Sequence, residues 1–148
     1  MDLSKLKDQL VIDEGVKYES YLDHLGLKTI GIGHLCREDE PEYDEPLGTE
    51  VSEDRVTELF EDDIQTVIKD CKKIYDDWDN MNDEVQLICA NMMFNLGYPR
   101  YSKFRKKIQA VIDKDFKRAA DEMRDSRWHR QVTKRAERLC ERMASVAV

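Results

Sequence analysis

The stretch from Asp13 to Leu35, DEGVKYESYLDHLGLKTIGIGHL, constrains the fold more than any other part of the 148-residue chain. Just before it, leucines recur at three- and four-residue steps, which predicts a helix over residues 3–14. Gly15 is placed to end that helix, because glycine adopts the positive φ of a helix terminus without steric cost. Glu14 therefore lies in the last turn of the helix, and the chain changes direction directly after it.

The remainder of this stretch predicts a β-hairpin. Residues 18–22 and 28–33 are short and rich in aromatic or β-branched side chains, and His24–Leu27 between them form a turn. Gly31 and Gly33 alternate with isoleucines, which leaves one face of the second strand without side chains. A bare face of this kind suits the close approach of another element or of a ligand.

The rest of the chain is predicted to be helical. Residues 53–75 carry an apolar stripe along one face, and a helix of that length spans about 30 Å. The segment EVQLICANMMFNL, which Asn82 or Asp83 begins, is apolar nearly all round, as expected of a helix at the centre of a lobe. Shorter helices are predicted at about 103–112, 115–125 and 134–144.

These elements predict an α+β fold class with mostly helical structure, in one domain over residues 1–148. We expect a small N-terminal lobe with the β-hairpin at about residues 13–58. The helix over about 53–75 would link it to a helical C-terminal lobe over residues 76–148, to which helix 3–14 is added.

Composition excludes several classes of protein. No run of 18 apolar residues is present, so we expect no membrane insertion. The charged N-terminus lacks the apolar core of a secretory leader, and we expect the protein to be cytoplasmic in the cell that makes it. The four cysteines lie far apart, without a C-x-x-C pair, so we expect them to be reduced, with no metal and no cofactor bound.

An acidic segment, REDEPEYDEPLG at residues 37–48, contains two prolines and six carboxyl groups between Glu38 and Glu45. It lacks the alternating aspartates of a calcium-binding loop. A solvated surface loop is therefore favoured over an ion-binding one.

Two carboxyl groups and a hydroxyl, those of Glu14, Asp23 and Thr29, follow one another along the helix end and the hairpin. In a chain with 32 acidic residues this spacing alone carries little weight. The pattern E-x8-D-x5-T followed by IGIGH, however, resembles the phage-type lysozymes related to the T-even phage enzyme (glycoside hydrolase family 24). The resemblance continues over nearly the whole chain, with LFEDDI at 59–64, NMMFNLG at 91–97, and SRWHRQ and KRA within 126–136.

The resemblance implies a lysozyme-like fold with a cleft between its lobes, and hydrolysis of peptidoglycan between N-acetylmuramic acid and N-acetylglucosamine. Glu14 would be the general acid, and the partial negative charge at a helix end favours the protonated carboxyl that this role needs. Asp23 and Thr29 would handle the attacking water, with inversion at the anomeric carbon. Arg135 would support Glu14 electrostatically.

The resemblance also implies binding residues for the sugar chain. Phe94 would line the cleft, although packing in the core explains it equally well. His34 and Asp63 would form a structural ion pair rather than take part in catalysis. The expected substrate-binding residues are Leu35, Phe94, Asn91 and Asn95.

The expected partner is a peptidoglycan glycan strand, and the expected role is that of a monomeric endolysin that acts on the cell wall after release. The alternative is a catalytically silent lysozyme-like module that binds a protein or nucleic acid. Residues 99–148 carry 15 Lys/Arg against 7 Asp/Glu, which would suit an anionic partner. These basic residues are spread over several predicted helices without a helix-turn-helix pattern, so we expect no nucleic-acid partner.

Overall fold

Residues 1–147 are described by a computed structural model of the chain. The α+β fold class is confirmed, since most of these residues lie in helices and their strands form one small antiparallel sheet. In chain order the elements are α1 (Leu3–Glu14), β1 (Lys17–Leu22), β2 (Lys28–Gly31), β3 (His34–Leu35), α2 (Glu53–Ile74), α3 (Asp83–Leu96), α4 (Tyr98–Tyr101), α5 (Arg105–Ile112), α6 (Phe116–Arg124), α7 (Arg127–Gln131) and α8 (Thr133–Ala144), with 3-10 turns at Pro41–Asp44 and Trp78–Asn80.

The longer helices begin and end close to where their sequence signals predict. α1 has its predicted bounds. α2 begins after Ser52, whose Oγ accepts a hydrogen bond from the backbone N–H of Arg55 at 3.1 Å. α3 begins after Asn82, whose Oδ1 accepts from the backbone N–H groups of Glu84 and Val85. These ends were predictable because a capping side chain acts within a single turn.

Three short elements were not predicted, namely β3, α4 and α7. They are two to five residues long. Segments of this length do not form stable structure alone, because helix nucleation is costly and a two-residue strand needs a neighbour. Tertiary packing rather than local pattern decides them.

The chain divides into two compact units. One is Lys7–Thr66, with most of α1, the whole sheet and the first part of α2. The other, the helical unit, is Met1–Leu6 together with the chain from Val67 onward. The prediction assigned all of helix 3–14 to the helical lobe, whereas α1 and α2 each contribute residues to both units.

Within the unit Lys7–Thr66, the strand order is β1-β2-β3. Tyr21 lies opposite Thr29, which in turn lies opposite Leu35. α2 packs closely against the second strand, since a Cβ on Gly31 would lie only 2.9 Å from Cγ1 of Val56. The face that the glycines leave bare is therefore used in part for helix packing.

The helical unit is built around α3, of which ten of the 14 residues are buried. Lys107 of α5 is only 1% exposed, which is rare for lysine. Its Nζ donates to the Tyr101 hydroxyl and, at 3.3 Å each, to the Tyr75 hydroxyl and Cys89 Sγ. Burial raises the pKa of both tyrosines, so the amine is held by neutral groups.

Candidate active site

Glu14 is the last residue of α1 and is partly exposed. Its carboxyl group packs directly against the backbone of Gly33. A Cβ built on Gly33 would lie 2.4 Å from Oε2 of Glu14, and Gly33 has φ of 61°. Any larger residue at position 33 would displace the Glu14 carboxyl group and strain the backbone, so both effects favour glycine here.

Asp23 follows β1 and organises the hairpin turn. Its Oδ1 accepts hydrogen bonds from the backbone N–H groups of Leu25 and Leu27, both at 2.9 Å. The backbone N–H of Asp23 also donates to the Leu27 carbonyl at 2.9 Å. The side chain is partly exposed, so the carboxyl group is held in one orientation while it remains accessible to water.

Thr29 lies on β2 and is only 4% exposed. Its Oγ1 donates to the carbonyl of Leu27 at 2.9 Å. Because the hydroxyl proton is used in that bond, Oγ1 can serve a further partner only as an acceptor. This suits a group that orients the proton of a bound water.

Tyr21 connects these residues, and sequence reasoning did not identify it. Its pKa is raised above the ordinary value by partial burial and then by the negative charges of Glu14 and Asp23. The backbone N–H of Gly33 donates to its phenolic oxygen, which acts in the opposite direction. Tyr21 therefore lies within the electrostatic reach of both carboxyl groups. Its place two residues before Asp23 on a strand was the available signal.

Leu35 extends from the same sheet and is 53% exposed. It lies opposite Thr29 in the pairing of β2 with β3. An exposed leucine beside the predicted catalytic hydroxyl offers an apolar surface to a sugar ring. Its role as a substrate-binding residue stays a prediction.

The predicted sugar-binding residues of α3 lie in the helical unit. Asn91 is fully buried, and its Oδ1 accepts a hydrogen bond from Nε of Arg135 at 2.9 Å. A sugar cannot touch a fully buried side chain without rearrangement, so the visible contribution of Asn91 is to orient Arg135. Asn95 is partly exposed and accepts from Nε1 of Trp128 at 2.8 Å, and Phe94 is also partly exposed. Sugar contacts by these two residues stay predictions.

The acidic segment is a mostly exposed loop, as the sequence suggested, but two of its acids are not solvated. Glu40 and Glu42 are buried, at 7% and 8% exposure. Nε2 of His34 lies 2.9 Å from both carboxylate oxygens of Glu40, and Nδ1 lies 2.7 Å from Asp63. Arg55 donates to both oxygens of Glu42, at 2.8 and 3.0 Å. The cluster of His34, Glu40, Glu42, Arg55 and Asp63 is called the histidine cluster below.

One group of three potential metal ligands occurs in the described part of the chain. His129, Glu137 and Cys140 have ligand atoms within 4.8 Å of one another. The Arg124 guanidinium lies 3.1 Å from the Glu137 carboxylate, and His129 Nε2 lies 2.7 Å from it. This carboxylate is already paired with two basic groups, and a neighbouring guanidinium disfavours a metal cation, so we assign no metal here.

All four cysteines are free and buried. Among residues 1–147, no helix combines the length with the apolar composition that crossing a membrane requires.

Comparisons with known proteins identify the family of the chain. A family profile described as phage lysozyme matches residues 12–145. "Probable T4-type lysozyme 2" of Dictyostelium discoideum is 31% identical, over 93% of this chain and 92% of that protein. "Pre-baseplate central spike protein Gp5" of Enterobacteria phage T4 is 30% identical, over 90% of this chain and 26% of its own length. "Peptidoglycan hydrolase gp36" of Pseudomonas phage phiKMV is 27% identical, over 97% of this chain and 15% of its own length.

The fold and these matches define a lysozyme-type glycoside hydrolase. The chain belongs to the phage lysozyme family, with a match that covers both of its compact units.

Proposed function

We propose that this protein is an endolysin-type muramidase that hydrolyses the β-1,4 bond between N-acetylmuramic acid and N-acetylglucosamine in bacterial peptidoglycan. Membership of the phage lysozyme family supports the reaction class, and the name of the phiKMV relative supports the substrate. The observation that carries the proposal is local. The Glu14 carboxyl group packs against Gly33, which lies in the same hairpin region as Asp23 and Thr29.

Glu14 is the proposed general acid. Breaking a glycosidic bond requires a proton on the leaving oxygen while positive charge develops at the anomeric carbon. A carboxyl group at a helix end, partly exposed and held against a glycine backbone, can approach that oxygen without being fully buried. The general acid donates its proton in the step that breaks the bond.

Asp23 and Thr29 are proposed to handle the nucleophilic water. Asp23 acts as the carboxylate, and its Oδ1 is fixed by two backbone N–H groups. Thr29 Oγ1 accepts a hydrogen bond from the water and so sets its orientation. We expect inversion at the anomeric carbon, which requires room for the water between the two carboxyl groups, about 6.5–9.5 Å.

The remaining assignments complete the proposal. Leu35, Phe94 and Asn95 bind the glycan strand, Asn91 orients Arg135, and Arg135 supports the catalytic acid electrostatically. The protein acts as a monomer, without metal or organic cofactor, and without nucleic acid or membrane insertion. It is cytoplasmic in the producing cell and acts on the wall after release.

The test is the clearing of a suspension of purified peptidoglycan sacculi. Wild type clears it, and Glu14→Gln is slower by about 100- to 10,000-fold because the proton donor is lost. Asp8→Asn, which neutralises an exposed carboxylate on the same helix, is the matched control and clears at the wild-type rate. Equal rates for wild type and Glu14→Gln would reject the proposal, and an inert wild type would favour a catalytically silent module.

Product analysis tests the finer claims. Mass spectrometry of the released fragments identifies which sugar carries the new reducing end, which is N-acetylmuramic acid if the proposed bond is cut. NMR of the anomeric proton immediately after cleavage distinguishes inversion, with the α-anomer first, from retention. If the β-anomer forms first, the reaction proceeds with retention. That result would indicate a covalent intermediate instead of attack by a water held between the two carboxyl groups.

A further inference from the structure

Tyr21 belongs to the same surface as the proposed catalytic residues. In the antiparallel pairing of β1 with β2, Tyr21 lies opposite Thr29, and directly opposed residues present their side chains on the same face of a sheet. Asp23 follows directly after the end of β1, and its charge acts on the Tyr21 hydroxyl. The register therefore brings the phenol beside Thr29, and Asp23 lies close by in the chain.

Gly33 provides the link to the third. Its backbone N–H donates to the phenolic oxygen of Tyr21, and the Glu14 carboxyl group packs against the same glycine, with Oε2 2.4 Å from where a Cβ would be. The phenol and the carboxyl group thus meet at one residue that has no side chain. The hydroxyl oxygen is occupied as an acceptor, so the hydroxyl proton remains for donation elsewhere.

The ring itself is held from a second side. Nζ of Lys17 lies 4.3 Å from the centroid of the Tyr21 ring, a cation–π distance. Tyr21 is partly exposed, whereas Tyr18 on the same strand is 49% exposed. Strand register, the Gly33 hydrogen bond and the Lys17 contact together restrict the orientation of the phenol.

We infer that Tyr21 is a positioning residue of the proposed active site, whose hydroxyl donates toward the Glu14 carboxyl group and steadies it as it loses its proton. This inference rests on the proposed role of Glu14 as general acid. A donor directed at a carboxyl group stabilises the ionised form that remains after proton transfer. It also limits the rotamers of Glu14, which keeps the acid aligned with the leaving oxygen.

The phenol is suited to this task because it stays protonated. Burial and the charges of Glu14 and Asp23 raise the pKa of Tyr21, so the hydroxyl keeps its proton throughout the pH range in which a carboxyl-based mechanism operates. A neutral phenol adds no charge of its own beside the two carboxyl groups.

Tyr21→Phe tests the inference in the full-length protein, with Tyr18→Phe as the matched loss of a hydroxyl on the same strand. We expect Tyr21→Phe to lower kcat about tenfold with little change in KM, because the lost hydrogen bond acts on the acid rather than on substrate binding. The basic limb of the pH–rate profile should move to higher pH, because the ionised acid loses a stabilising donor. Tyr18→Phe should match wild type in both.

A purely structural role for Tyr21 would lower the melting temperature and leave the pH limb in place, and that outcome overturns the inference. So does a Tyr21→Phe variant with wild-type kcat. Failure of the proposed function is a distinct result, because it would appear as an inert wild type.

Site-specific 3-fluorotyrosine at position 21 covers the case in which Tyr21→Phe fails to fold. It preserves the shape of the side chain while making the phenol more acidic. Activity should then fall at a lower pH than in wild type, because a more acidic phenol is a stronger hydrogen-bond donor and favours the ionised form of Glu14 over the protonated acid. An unchanged profile would contradict the inference.

Discussion

Two groups of acidic residues in the unit Lys7–Thr66 are used in opposite ways. Glu14 and Asp23 are partly exposed, with the Glu14 carboxyl group against the backbone of Gly33 and Asp23 Oδ1 bonded to two backbone N–H groups of the hairpin turn. Glu40 and Glu42 are buried and are bonded to the side chains of His34 and Arg55. Acidic residues are thus partly exposed to solvent in one place and buried among basic side chains in the other.

The difference shows how to separate chemical from structural acids in a chain with 32 of them. Burying a carboxylate beside basic side chains carries a large desolvation penalty, and removing one partner is strongly destabilising. Such a group is typically structural. A partly exposed carboxyl group in a defined orientation can still exchange a proton with a substrate or with water. The two buried acids of the acidic segment are thus structural, and the isolated acids Glu14 and Asp23 are the proposed catalysts.

The largest expected effect is on activity, and it comes from changing one of the two partly exposed acids. Asp23→Asn should reduce the rate of sacculus clearing by about 1,000-fold, since the amide cannot act on the water as a base. The fold should survive, because Oδ1 of asparagine can still accept from the N–H groups of Leu25 and Leu27. Clearing rates and melting temperatures of Asp23→Asn and Asp39→Asn, an exposed acid in the loop, measure this. Substantial activity in Asp23→Asn would move Asp23 to the structural group.

Gly33→Ala should come next, with about a hundredfold loss of activity. The new methyl group would occupy the space of Glu14 Oε2, and a displaced catalytic group loses rate steeply. Gly26→Ala is the matched control, because Gly26 also has positive φ, 77°, but has nothing within 4 Å of its Cβ position. Both variants should lose similar stability, and only Gly33→Ala should lose activity. Equal activities would show that the Glu14 carboxyl group is not held by this contact.

His34→Asn should have its effect on stability instead. Removing the imidazole leaves the buried Glu40 without its closest basic partner, and the expected cost is about 3 kcal/mol in the free energy of unfolding. Specific activity at a temperature where the variant is folded should change little. Urea denaturation and clearing assays measure both quantities, with His24→Asn in the exposed turn as the control. A variant that lost turnover but kept its stability would make His34 a catalytic residue.

The smallest expected effect is the pH dependence of the stability that His34 contributes. Burial of the ring lowers the pKa of His34, but the hydrogen bonds to and charges of Asp63 and Glu40 outweigh it and raise the pKa overall. A raised pKa in the folded state means that the stabilisation is fully present below the unfolded value of 6.5 and is lost as pH rises through the folded value. The stability difference between wild type and His34→Asn should therefore shrink as pH rises above 6.5 and through the folded value.

Parallel measurements on His24→Asn, in the exposed turn, serve as the control. A difference that grew with pH would mean that His34 is bound as the neutral ring. The histidine cluster would then not be the paired arrangement that distinguishes it from the catalytic acids.

Much of this architecture was predictable from local sequence. The bounds of α1, the cap that begins α3 and the turn between β1 and β2 follow from side chains and glycines that act within one turn of the chain. The same local pattern put Glu14 at a helix end and Asp23 and Thr29 on a hairpin. The family resemblance, rather than spacing, selected those three from the other acids and hydroxyls.

Other features depended on partners distant in sequence. Glu40 and Glu42 were expected in solvent, and only the approach of Arg55 from α2, together with His34, makes their burial favourable. The contact between the Glu14 carboxyl group and Gly33 also requires α1 and the hairpin to pack together. The same holds for the position of Tyr21 beside that contact.

The sequence by itself thus determined the elements and the order of the reactive groups, while the tertiary structure decided which charges are buried and which remain accessible. The physical reason is the separation along the chain over which each kind of interaction acts. Capping, turn and helix signals act over three or four residues, whereas the free energy of a buried charge is set by whichever groups the fold brings within a few ångströms.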